Sequence, residues 1–131
     1  MFPPFLVVSD LDGTLTEAQS GWQFVMEQLG LWENYGKIHL NNFLNKTIDY
    51  KESIRLDVKS WQGLPESQYI EIINRIPFRS GVVNLFSEFK ALGGYIILLS
   101  SGLMDVATRA KRLFLIDKVY ANKIHKENGF L

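Results

Sequence analysis

Two aspartates one residue apart, Asp10 and Asp12, follow the apolar run Phe5-Leu-Val-Val8 and precede Gly13. An unbroken apolar run of this kind suits a fully buried strand. Side chains alternate along a strand, so both carboxylates leave its C-terminal tip on the same side while Leu11 turns back toward the core. Gly13 lets the backbone turn sharply. Carboxylates this close repel, and they call for a cation or a shared proton. Oxygen-only ligands suit a hard cation such as magnesium, which keeps several waters and recruits a phosphate. Asp-x-Asp-Gly is also ordinary turn chemistry after a strand, and spacing alone leaves both readings open.

A second polar tip stands ninety residues further on. Tyr95-Ile-Ile-Leu-Leu99 reads as another continuous apolar strand, and Ser100-Ser101-Gly102 lies between it and a helical pattern. Backbone amides and the positive end of a helix there suit phosphate oxygens, with the Ser100 hydroxyl beside them. Ser-Ser-Gly before a helix is equally a simple cap. Anion donors at one strand end and an acidic pair at another converge on phosphoryl transfer, because sites in parallel sheets form beyond the carboxyl ends of the strands.

The elements that must position these tips follow from periodicity. Ser20 can cap a helix with Trp22, Val25, Met26 and Leu29 on one face and Gly30 as its stop. A second helix is expected from Trp32 to Leu44 and a third from Ile48 to Trp61, with Ile54, Val58 and Trp61 apolar. A fourth opens at Leu64-Pro65-Glu66 and shows Tyr69, Ile72, Ile73 and Ile76 on one face. Ser80-Gly81 starts a fifth, whose Val82, Val83, Phe86, Phe89 and Leu92 should face inward. The last, Leu103 to Phe114, places Val106, Ala107, Ala110 and Leu113 on one side. A short strand, Lys118 to Ala121, precedes a hairpin start from Asn122 to Leu131 that turns at Asn128-Gly129. Strand, helical excursion, helix, strand, helix, strand is the order of an α/β domain with a Rossmann-like parallel sheet.

Composition bounds the function. The 131 residues, 47% hydrophobic and 13% aromatic, describe a globular chain of one ordinary domain. Fourteen basic and fourteen acidic residues give a net charge of zero, so no overall field selects nucleic acid or an anionic membrane surface. The absence of cysteine excludes disulfides, thiolate metal sites and a cysteine nucleophile. Met1-Phe-Pro-Pro4 has neither the basic region nor the apolar stretch of a secretory signal, and a cytoplasmic protein is the expectation.

The stretch Asp10-Leu-Asp-Gly-Thr-Leu-Thr16 resembles the first motif, D-x-D-x-T, of the haloacid dehalogenase (HAD) superfamily of phosphohydrolases. Ile96 to Gly102 is similar to its second motif, an apolar strand ending in Ser or Thr. The helical insertion resembles the small cap of the phosphoserine phosphatase-like branch, dividing the chain into a partial core of 1–17 and 79–131 and a cap of 18–78. The resemblance implies that Asp10 attacks phosphorus to form an aspartyl-phosphate, while Asp12 protonates the leaving oxygen and later activates water. It further implies magnesium held by Asp10 and the Asp12 carbonyl, phosphate held by Ser100, Ser101 and Gly102, and Thr14 supporting the loop.

Several positions depart from that pattern. Gln19 stands where an acidic residue is expected and Asp57 where a cap arginine is expected, so the grip on phosphoserine's amine and carboxylate does not carry over. The expected substrate is therefore a small phosphorylated metabolite without further definition, with Tyr50 and Arg55 as candidate contacts. The family's third-motif lysine and fourth-motif acidic pair would both fall beyond Leu131, which makes this chain alone a poor catalyst. The first strand would then keep an unpaired edge, and the chain is expected to belong to a longer protein or to complete its sheet through self-association or a partner chain. A non-catalytic binding or assembly module and a phosphotransferase are the alternatives to a phosphatase.

Overall fold

The computed structural model describes residues 4–131. In chain order its elements are β1 (Leu6–Ser9), α1 (Gly21–Gln28), α2 (Lys37–Leu44), α3 (Tyr50–Ser60), α4 (Glu66–Arg75), α5 (Val82–Ala91), β2 (Tyr95–Leu103), α6 (Met104–Phe114) and β3 (Lys118–Asn122). Contacts gather them into two units, one made of the chain up to Gly21 with Ile73–Lys123, the other of Trp22–Ile72 with Ile124–Leu131.

The first unit is built on a parallel sheet in the order β1-β2-β3. Parallel neighbours need crossovers, and a helix precedes β2 and another precedes β3. The α/β sheet expected from the sequence is therefore present. Leu11, Ile96, Leu98, Leu103, Val106, Ala107 and Ala110 are fully buried within this unit. Phe114 joins them, meeting Phe78 edge-on at 4.9 Å and Phe86 at 6.4 Å. Arg109 closes the end of the preceding helical segment, donating to the Ile76 carbonyl at 2.6 Å and lying over the Phe78 ring.

Some expected core positions are displaced. β1 is an edge strand rather than a fully buried one, with Leu6 and Val8 each 57% exposed. On α5 only Val82 and Phe86 are buried, while Val83 and Leu92 face out, because a single-sided contact takes an i, i+4 pair and leaves i+1 on the flank. At the end of α6 the buried residue is Phe114 and Leu113 is exposed, the larger ring claiming the place beside Phe78 and Phe86.

The helical unit has its own interior. Trp22 stacks on Trp61 at 5.3 Å, and the Trp61 indole donates to the Met26 sulfur at 2.8 Å. Val25 and Tyr69 are buried beside them in the same unit. The single helix expected from Trp32 to Leu44 is divided: a π-helical turn over Trp32–Gly36, in which the Gly36 N–H reaches the Leu31 carbonyl, hands over to α2. α3 begins later than expected, at an Asp49 cap whose carboxylate accepts the Glu52 N–H at 2.8 Å.

Residues 124–131 group with the helices. The turn at Asn128-Gly129 forms, with Glu127 and Phe130 exchanging backbone bonds across it. Its returning residues then pair with the α3–α4 connection instead of a sister strand. Glu66 N–H donates to the Gly129 carbonyl, satisfying an otherwise open donor of α4, and Gly63 and Leu64 exchange bonds with Leu131.

Candidate active site at the carboxyl ends of the strands

The turn after β1 is fixed mostly by its own backbone. Gly13, at φ +71°, lets the chain reverse so that the amides of Thr14, Leu15 and Thr16 all point at the Leu11 carbonyl, at 2.9 to 3.2 Å. Gly13 N–H in turn donates to the Ala18 carbonyl, and the fully buried Thr16 hydroxyl donates to the same carbonyl at 2.8 Å. Arg79 adds a bond from its guanidinium to the Gly13 carbonyl. The loop is thus pre-set before any ligand arrives.

Both aspartates are oriented by donors within this turn. One Asp10 oxygen accepts the Leu11 N–H at 2.7 Å, and the other accepts the Thr14 hydroxyl at 3.2 Å. Asp12 accepts the Gly21 N–H, at the first residue of α1, at 3.2 Å. Burial pushes the Asp12 carboxyl up to about 6; the Gly21 N–H works against that rise and the Asp10 charge adds to it. Among the described residues neither carboxylate is paired with a lysine or arginine.

The second tip meets the first through a glycine. A methyl group on Gly102 would collide with the Asp12 carboxylate and lie 3.0 Å from the Ser100 Oγ, so this position accepts no side chain while Asp12 stays where it is. Ser100-Ser101-Gly102 does not lie between strand and helix, as expected, but within β2 as a departure from its register: Leu99 pairs with Tyr120 and Leu103 with Asn122, so three residues of β2 face one of β3. The Gly102 N–H is taken by the Ser100 Oγ at 2.9 Å, and the Asn122 amide donates to the Ser101 carbonyl at 2.7 Å.

The sequence-derived residues Asp10, Asp12 and Thr14 therefore share one turn, Gly102 is brought against Asp12, and Ser100 is bonded to Gly102. An open groove of about 550 Å³ runs beside β1 and reaches Asp10, Thr14, Arg79 and Leu85. Thr16, Arg79 and Asn122 were not singled out by sequence. Thr16 closes the D-x-D-x-T-x-T stretch and carries a readable signal; Arg79 and Asn122 reach the site only by tertiary pairing. In the helical unit Asp57 is buried and bonded to His39 Nδ1 at 2.6 Å, while Arg55 is exposed and turned to Glu52.

Two carboxylates without a basic partner, presenting only oxygen donors, fit a hard divalent cation whose remaining positions fall to water or phosphate. Among the described residues no third acidic, histidine or cysteine side chain joins them.

An acidic pair after the first strand of a parallel sheet, with a hydroxyl-bearing tip on the next strand, defines a member of the haloacid dehalogenase-like hydrolases. The chain belongs to that family, matching it over residues 7–131. It is 30% identical to a phosphoserine phosphatase of Lactococcus lactis subsp. lactis over 126 residues, 96% of this chain and 57% of that protein. Among solved structures it is similar to a HAD family hydrolase of Salmonella enterica serovar Typhi, with a TM-score of 0.87 at 18% identity over 96% of this chain and 43% of the other. It is also similar to a phospho-aspartyl intermediate analogue of phosphoserine phosphatase, with a TM-score of 0.81 at 21% identity, covering this chain completely and 61% of the other. The chain thus spans somewhat more than half the length of the curated relative it matches.

Proposed function

We propose that the protein hydrolyses a small phosphomonoester through an aspartyl-phosphate. The observation that carries the reading is the meeting of Asp12 with Gly102, itself bonded to Ser100, at neighbouring strand ends, beside an Asp10 that the groove leaves accessible. Asp10 attacks phosphorus, and the leaving alkoxide takes the proton of Asp12, whose burial suits it to hold one near neutrality. Asp12 then removes a proton from water, which attacks the aspartyl-phosphate and frees Asp10 and inorganic phosphate. The Ser100 hydroxyl and the Ser101 and Gly102 amides hold phosphate oxygens, the Gly102 N–H exchanging its Ser100 acceptor for the ligand, while Thr14 steadies Asp10. Magnesium, held by the Asp10 carboxylate and the Asp12 carbonyl, would neutralise charge between carboxylates and phosphate.

The substrate is a small phosphorylated metabolite of a cytoplasmic setting, with neither nucleic acid nor membrane as partner, and residues 18–78 serve as the cap of a core formed by 1–17 and 79–131. Phosphoserine itself is not singled out, because Gln19 is neutral and Asp57 is engaged with His39. The open edge of β1, where Leu6 and Val8 are exposed, is completed by a further strand, from the rest of a longer protein, from self-association or from a partner chain.

The test is hydrolysis of p-nitrophenyl phosphate with magnesium by the protein in its full natural length and by its Asp10→Asn variant. A loss of about a hundredfold or more is expected. Equal rates would remove Asp10 as nucleophile, and no turnover by the parent protein would leave a binding or assembly module; phosphate appearing on an added alcohol in preference to water would make the enzyme a phosphotransferase.

A further inference from the structure

β2 and β3 run in matched pairs through Ile97, Leu98 and Leu99, and then the match is lost until Leu103 meets Asn122. Ser100, Ser101 and Gly102 occupy the space opposite Ala121 alone, so the stretch assigned to phosphate is a bulge with two surplus residues. A bulge takes backbone groups out of the ladder, and each must find another partner or remain unsatisfied. Here the carbonyl at the middle of the arc receives the side-chain amide of Asn122, at 2.7 Å.

One end of the arc, Gly102, meets Asp12, and the other, Ser100, is tied to Gly102. Ser100 supplies the hydroxyl that accepts the Gly102 N–H, and the bare Cα of Gly102 lies against the Asp12 carboxylate. A rotation of the Ser101 peptide would swing both ends, moving the hydroxyl away from its position and pressing Gly102 toward or away from Asp12. We infer that Asn122 is a positioning residue: by holding the Ser101 carbonyl from the neighbouring strand, it sets the bulge so that Ser100 and Gly102 present their polar groups at Asp12. The inference rests on the phosphoryl-transfer reading above. An amide is suited to the task because it brings an N–H donor to a carbonyl without introducing charge, whereas an ionised carboxylate of the same shape offers no donor.

The experiment compares Asn122→Ala and Asn122→Asp with the parent protein in its full natural length, using p-nitrophenyl phosphate turnover with magnesium and inorganic phosphate titrated by calorimetry with and without the metal. Both variants should lose about ten- to a hundredfold in kcat/KM, as expected for a misplacement near 1 Å. Both should also bind inorganic phosphate about tenfold more weakly. The loss for Asn122→Asp, measured against the parent at each pH, should shrink from pH 8 to pH 5 as the introduced carboxyl gains a donor proton; the loss for Asn122→Ala should stay constant. Should Asn122→Ala fail to fold, the isosteric Asn122→Asp carries the test. Folded variants with parental turnover and phosphate affinity, or an Asn122→Asp loss that ignores pH, overturn the positioning role while leaving the phosphatase reading intact. A parent protein that neither binds inorganic phosphate nor turns over the aryl ester overturns both.

Discussion

The two ends of the same sheet treat aspartate in opposite ways. At the amino-terminal end, Asp117 precedes β3 and accepts two bonds from the Lys90 ammonium at 2.8 Å and one from the Ile96 N–H at 2.7 Å. Burial alone would raise its pKa, but these partners outweigh it and hold the carboxyl below its ordinary value. At the carboxyl end, Asp12 is partly buried with one backbone donor and a like-charged neighbour, and its carboxyl is pushed up to about 6. A carboxylate supplied with a cation holds the fold together; one buried without a cation costs stability and is poised to bind or to move a proton. The contrast separates structural acid from functional acid by partner rather than by sequence neighbourhood.

The sharpest way to break that contrast is at Gly102. Placing a methyl group where the Asp12 carboxylate lies should lower phosphatase turnover about a hundredfold or more in Gly102→Ala, because the displaced group is the proton carrier; steady-state kinetics with an aryl phosphate checks this. Removing the functional charge should have the reverse effect on stability. In chelator at pH 7.5, Asp12→Asn should raise the free energy of unfolding in urea by about 1 kcal/mol, since it deletes a partly buried charge that repels Asp10.

Asp117→Asn should lower stability by about 1 kcal/mol at pH 7, the usual worth of a partly exposed ion pair. The sign with pH follows from the lowered pKa of Asp117 in the fold: its contribution is complete above the ordinary carboxylate range of about 4 and disappears as pH falls through the lower folded value. Parent and Asp117→Asn urea curves should therefore separate at pH 7 and converge toward pH 3. A variant that loses as much stability at pH 3 as at pH 7 would show that packing, not charge, is at work there.

Much of this arrangement is legible in the chain itself. The Asp-x-Asp-Gly spacing marks the turn past β1 that holds Asp10 and Asp12, and two apolar runs ending in polar residues form the paired strands β1 and β2. The apolar stripe of Tyr69, Ile72 and Ile73 on α4, continued by Ile76 just past its end, is buried throughout, since a strong 3.6-residue stripe has one available orientation. What sequence does not carry is which neighbour covers an apolar position. Leu6 and Val8 read as core and lie open because burial of a strand face depends on elements elsewhere in the chain or beyond it. The bulge in β2 is invisible for a related reason: register is a relation between two strands, and Asn122 finds Ser101 across 21 positions of sequence. Asp57 and Ser53 are the buried residues of α3, and an apolar-face count passes over both.

The attachment of residues 124–131 to the α3–α4 connection also bears on assembly. Gly63 bonds to Leu131 and Glu66 to Gly129, so the helical unit closes on itself only across more than sixty positions of chain. During synthesis β1 emerges first and α1 to α4 follow it, yet the segment that satisfies the start of α4 arrives only after β2 and β3. Closure over so long a loop is entropically slow relative to local helix formation, so the α3–α4 connection stays open while β1, β2 and β3 can already pair.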